Sequence, residues 1–306
     1  MKQSRLLIIA SFFSIYVIWG STYLFNKIAV AEIPPFFLAF IRFSLSGILI
    51  MTIAKLMKLP LKITQKQFIN STISGLLFLI FGNGVFVWAL KYVDSSFGAL
   101  MASTQPLFVL FLLRLIDGKK LQKKSIIGVI LGLVGMTLLI TQKEIATSNN
   151  SLLGIFMMLT AILSWSYGSV FVSKADLPKN FFVSTGYQML IASILLIIAS
   201  FSFGETHSLP LEWSTKVQGT VVFLILFGSI IAFTAFNYLL KVVSPEKVAT
   251  SAYINPVIAM VLGWYVLDEN LSIQSIVASF ILLLGVYFIN ARKRVTKKVT
   301  TKPQKV

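Results

Sequence analysis

Few side chains in this chain of 306 residues can do chemistry. There is no cysteine and a single histidine, His207, which excludes thiol nucleophiles, Cys-based metal sites and histidine clusters. The ten acidic residues, Glu32, Asp94, Asp117, Glu144, Asp176, Glu205, Glu212, Glu246, Asp268 and Glu269, all fall between long apolar runs or at their edges. No Asp pair, Ser–His pair or metal-binding cluster therefore sits where a membrane-embedded enzyme needs one. The chain is read as a non-enzyme with no cofactor and no metal, and His207 as a surface residue.

Arg42 is the one charge inside an apolar run. It lies about 12 Å into that run, too deep to snorkel easily back to an interface. A charge at mid-bilayer costs about 2.5–3.5 kcal/mol on insertion scales, so it faces a cavity or a partner. With no carboxylate inside a run, its five donors must be met by carbonyls, amides, hydroxyls and water, or by an anionic group on a ligand. Two roles stay open, a packing anchor and a clamp for a substrate carboxylate. The other candidate substrate contacts are Trp19, Asn83, Gln105, Trp165, Tyr167, Tyr187, Gln188, Asn237, Tyr253 and Asn255. Amides and phenols orient a ligand by hydrogen bonds while aromatic faces cover its apolar part. The competing use of each is bonding between helices or, for Trp88 and Tyr238 near run ends, interfacial belt duty.

The elements that must position these residues are apolar throughout. The chain is 57% hydrophobic and 12% charged, with mean hydropathy +0.87, far from a soluble domain. Runs long enough to cross a bilayer recur at about 6–26, 34–54, 69–90, 96–113, 125–142, 152–173, 181–203, 217–239, 248–267 and 273–290. The first is too long for a signal peptide and is read as a retained span. The net charge of +17 would suggest nucleic acid only if it formed a stripe on a polar fold. Instead 22 basic residues occupy one alternating set of loops and ends, four occupy the other, and Arg42 is the remainder. Lys and Arg are retained on the cytoplasmic side, so this bias predicts a multi-pass protein of a bacterial cytoplasmic membrane with both termini inside, and no nucleic-acid partner.

The second half resembles the first. Leu90-Lys91 aligns with Leu240-Lys241, Ala99 with Ala249, Pro106 with Pro256, Leu121 with Leu271 and Gly135 with Gly285, all at an offset of 150. Trp19-Gly20-Ser21 lies beside Trp165-Ser166-Tyr167, and Phe36 beside Phe182, at an offset of 146. Each half then holds five spans, and because five is odd the copies are inverted, as in many secondary transporters. The expected fold is an all-α integral membrane protein, ten transmembrane helices as two inverted five-helix repeats, at 1–145 and 146–291, followed by a basic tail at 292–306. Trp19 and Trp165 are expected to face each other across the pseudo-axis. Pro106 and Pro256 sit mid-span, where each kinks its helix and could serve as a hinge. Gly128-x3-Gly132 with Gly135 forms a small-residue face for packing within the chain or for a homodimer. Spans five and ten, bare of polar groups at mid-depth, are expected at the periphery.

On Trp19-Gly20-Ser21 followed by Lys27, Pro34-Pro35 with Arg42-Phe43, Gln105-Pro106 and Asn255-Pro256, the sequence resembles the drug/metabolite transporter superfamily, in its ten-span EamA branch, from about residue 7 to 290. The resemblance implies metabolite export through a central cavity between two five-helix halves. It leaves the substrate open, since the family handles amino acids, nucleobases and sugars. Gln188 or Tyr187 occupies the place corresponding to Arg42, so the cavity should be electrostatically lopsided. The reading is therefore a secondary transporter exporting a small zwitterionic or anionic, amino-acid-like metabolite by alternating access. The alternatives are a membrane-embedded enzyme, or an importer or facilitator of another polar metabolite such as a nucleobase or sugar.

Overall fold

The computed structural model describes residues 5–118, 123–141 and 151–290; the basic tail at 292–306 lies outside them. Every regular element among the described residues is helical. Seven helices are long and apolar enough to cross a membrane: α1 Arg5–Val30, α2 Pro35–Leu56, α3 Gln65–Ala89, α4 Ser95–Asp117, α6 Ser151–Lys174, α7 Phe181–Ser202 and α8 Thr215–Val242. Three shorter apolar stretches lie in α5 Lys123–Ile140, α9 Asn255–Leu267 and α10 Ile273–Asn290. Outward faces carry Ile130, Phe156, Phe201 and Phe280, each at least half exposed, a surface that suits lipid as its solvent.

Local sequence explains where the helices begin. Pro35 opens α2, where a missing N–H costs nothing. Thr64 and Gln67 form a reciprocal capping box on α3, and the Asn180 side chain accepts from the N–H groups of Phe182 and Val183 at the start of α7. The two prolines expected to kink continuous spans do something different. α4 breaks at Ser103 and Thr104, and a new helix starts at Gln105 with Pro106 in its first turn. Residues 245–253 likewise form two short turns before Asn255 and Pro256 open α9. A proline in a first turn has no intrahelical N–H bond to lose, so interruption replaces kinking.

The packing is symmetric under exchange of α1–α5 with α6–α10. α5 packs along α10 and α2 along α7, α3 and α4 pack on α6, and α8 and α9 pack on α1. The four described residues in the left-handed backbone region also pair: Lys58 (φ 55°) with Gly204 (φ 65°) at offset 146, and Gly118 (φ 63°) with Asp268 (φ 52°) at offset 150. π-type turns interrupt α3 at Leu76–Gly84 and α8 at Leu224–Phe233, and a third lies in α1 at Ser14–Ile18.

The small-residue face of α5 is covered within the chain. A Cβ on Gly285 of α10 would lie 2.8 Å from the Gly128 carbonyl oxygen and 2.9 Å from the Gly132 nitrogen. That face gives no support to a homodimer. α5 and α10 pair with each other away from the chain's central cavity, which α1, α2, α3, α4, α6, α8, Ser251 and α9 line. α7, expected among the lining spans, contributes no residue to it.

Candidate functional site

The cavity encloses about 100 Å³. Six of the residues expected at a site reach it: Trp19, Arg42, Asn83, Gln105, Trp165 and Asn255. Trp19 and Trp165 meet edge to face, with ring centroids 5.5 Å apart, and Phe78, Phe233 and Phe236 pack around them. Of these rings Trp19, Trp165 and Phe233 line the cavity.

Arg42 is 4% exposed. Its Nε donates to Ser229 Oγ at 2.6 Å and an Nη donates to Asn26 Oδ1 at 3.3 Å, so it ties α2 to α8 and α1. Its guanidinium carbon lies 5.0 Å from the Phe43 ring centre. No Asp or Glu among the described residues pairs with it. The adjoining π-type turn of α8 brings Gly228 so close that a Cβ there would sit 3.2 Å from Arg42 Nη2 and 3.1 Å from a Thr22 methyl. The Gly228 carbonyl accepts from Trp19 Nε1 at 3.1 Å. A side chain at this position would press on both neighbours, so the glycine lets backbone, indole and guanidinium lie close together.

The two broken helices bring Gln105 and Asn255, 150 residues apart, to the cavity. The Asn255 amide nitrogen donates to Tyr16 O at 2.8 Å and lies within reach of Ser251 O and Ile15 O at 3.1 and 3.2 Å, and Tyr23 hydrogen-bonds the same side chain. Asn83 also lines the cavity, and its Oδ1 is buried without a hydrogen-bond partner.

Four expected residues lie elsewhere. Gln188 and Asn237 bond each other at 3.3 Å between α7 and α8, and reach Ser184 and Thr185; buried amides on facing helices satisfy one another before they satisfy a ligand. The Tyr187 hydroxyl donates to Leu61 O in the α2–α3 connection. Tyr167 is 41% exposed on the outer face of α6. The Tyr253 side chain lies outside the described set. Neither Gln188 nor Tyr187, the two candidates for the place corresponding to Arg42, reaches the cavity, and Arg42 is the one charged residue among the described residues that line it. The sequence reading missed Thr22, Tyr23, Asn26, Ser229 and Ser251. Trp19, Thr22, Tyr23 and Asn26 follow the i, i+3, i+4, i+7 pattern of one helix face, a signal that a search for isolated polar residues passes over.

A multi-pass helical protein closing a largely apolar cavity with a few polar groups and one charge has the build of a membrane carrier, and its relatives agree. The profile of the EamA-like transporter family matches residues 6–141 and again 152–291. The chain is 36% identical to the inner membrane transporter YedA of Escherichia coli K12 over 298 residues, 96% of this chain and 94% of that one. It is 22% identical to the transporter YoaV of Bacillus subtilis 168, covering 92% and 97%. A solved crystal structure superposes with a TM-score of 0.70 at 19% identity, covering 94% and 97% of the two chains, a likeness of fold. The chain belongs to the EamA-like transporter family and is a multi-pass transporter of the cytoplasmic membrane.

Proposed function

We propose that this transporter exports a small zwitterionic or anionic, amino-acid-like metabolite by alternating access between two inverted five-helix halves, 1–145 and 146–291, with both termini in the cytoplasm. The observation that carries the substrate class is Arg42, a buried guanidinium at a cavity wall with only neutral protein partners. An anionic group on the metabolite completes its coordination. Asn83 Oδ1 takes a donor from the same ligand, and the Trp19 and Trp165 rings cover its apolar part. The inverted duplication draws support from the exchange-symmetric packing, the paired left-handed residues and the two profile matches. Pro106 and Pro256 open the broken half-helices and serve as the hinges on which those segments tilt.

The test is mass-spectrometric profiling of the medium around bacteria overproducing the protein, beside cells with equal membrane amounts of Arg42→Ala. Amino acids or other carboxylates should accumulate outside only with the intact protein. Equal accumulation with both would return Arg42 to a packing role, and an unchanged medium would turn the reading toward uptake.

A further inference from the structure

Among the described residues that line the cavity, Arg42 carries the only full charge and Tyr23 is the only other ionisable group. The Ser229 hydroxyl and Asn26 carbonyl oxygen that it meets are both neutral. A guanidinium shut into a low-dielectric space without a countercharge is strongly disfavoured, whereas the same group holding an anion is close to neutral. We infer that an anion occupies Arg42 on both legs of the cycle, so that the protein is an exchanger: the metabolite's anionic group leaves on one leg and a small monovalent inorganic anion returns on the other. This rests on the reading of Arg42 as the metabolite's anion contact.

The argument concerns the step in which both sides are closed. With the metabolite bound, the carrier occludes a matched pair of charges. After release an empty cavity would have to occlude the bare guanidinium, and a conformer that rare slows the return by at least about tenfold. Any small anion that enters first removes the obstacle. Its valence follows from the lining, which offers one cation and no second; a divalent ion would leave an unpaired negative charge in place of the positive one. Arg42 spends Nε on Ser229 and one Nη on Asn26, so of its five N–H donors others are left for a monoanion, and the described lining brings no second charged group.

Chloride serves as the probe. Liposomes holding the purified full-length protein and labelled chloride, with valinomycin and equal potassium on both sides to fix the voltage at zero, are diluted into potassium chloride or into the potassium salt of polyaspartate, a polyanion too large for the cavity. Label should leave at least about tenfold faster into chloride. Arg42→Gln should remove the difference while melting within a few degrees of the parent, a measurement that guards against a variant that merely fails to fold. Equal release into both media, or no chloride movement attributable to the protein, would overturn the exchanger. If the medium profiles still depend on Arg42 in that case, the exchange fails alone; if Arg42→Ala exports as well as the intact protein, the anion contact fails and the exchanger with it.

Discussion

The Asn255 amide nitrogen reaches two carbonyls, of Ile15 and Tyr16, inside a π-type turn of α1, where the regular helical ladder is interrupted. Asn255→Leu keeps the volume and leaves buried acceptors unmet, which costs about 1–3 kcal/mol. The expected outcome is a lower melting temperature of the detergent-solubilised protein, while Tyr187→Phe, which removes one bond to the Leu61 carbonyl at the membrane edge, melts within a few degrees of the parent and still transports. Equal melting of Asn255→Leu and parent would show that the α1 turn does not rely on this amide. At this scale the sequence was readable where a residue type was out of place. Arg42, Trp19 and Trp165 stand out against apolar runs, and all three reach the cavity. Gln188 and Asn237 stand out equally but bond each other, and nothing in one dimension separates an amide facing a ligand from one facing another amide.

Three helix starts on the face poor in Lys and Arg are capped by carboxylates from the opposite half of the chain. Glu32 accepts from the Ser214 N–H and hydroxyl at 3.0 and 2.7 Å before α8. Glu205 accepts from Phe36 N and Phe37 N at 3.0 and 2.8 Å at the start of α2. Glu269 accepts from the N–H groups of Ser95 and Ser96 at 2.9 and 3.0 Å and from both hydroxyls at the start of α4. An anion at a helix N-terminus meets both unsatisfied N–H groups and the positive end of the dipole. Glu269, 7% exposed, is the strongest of the three, and Glu269→Gln should destabilise by about 1–3 kcal/mol because its buried, charge-assisted bonds are lost. Glu32 gives a pH signature: the Ser214 hydroxyl, then the Ser214 N–H, hold its carboxyl below the usual carboxylate range. A lowered folded value means that its contribution is present above the unfolded value, near about 4.3, and is lost as pH falls through the folded one. Acid unfolding of Glu32→Gln should therefore lack that component, and an unchanged acid limb in thermal melts would exclude the cap as its source. Pro106 and Pro256 show what the sequence concealed at this scale. A proline within twenty apolar residues reads as a kink, because only the neighbouring turns reveal that the helix has stopped and begun again.

Over the whole chain, the order of apolar runs and the alternation of basic loops were legible because the bilayer imposes a length and a sidedness on every element. The cavity was legible only in outline, since which face of a span turns inward depends on contacts among many helices at once. The energetics follow from what lines that cavity. Carriers driven by protons need an Asp, Glu or His that titrates as its exposure changes, and none of the lining residues is of those types. Glu269, the one acidic residue buried among the described residues, and Glu205 are held at helix ends on one face and bonded to backbone N–H groups there. Transport should therefore be insensitive to an imposed pH gradient once ionisation of the metabolite is controlled for. Proteoliposomes containing the purified protein, loaded with the metabolite that the medium profiles identify, should release it at the same rate with the inside acidic, alkaline or matched. A severalfold acceleration by one polarity of the gradient would overturn this, and Glu269→Gln beside Glu205→Gln would then show which of the two helix-end carboxylates carries the proton.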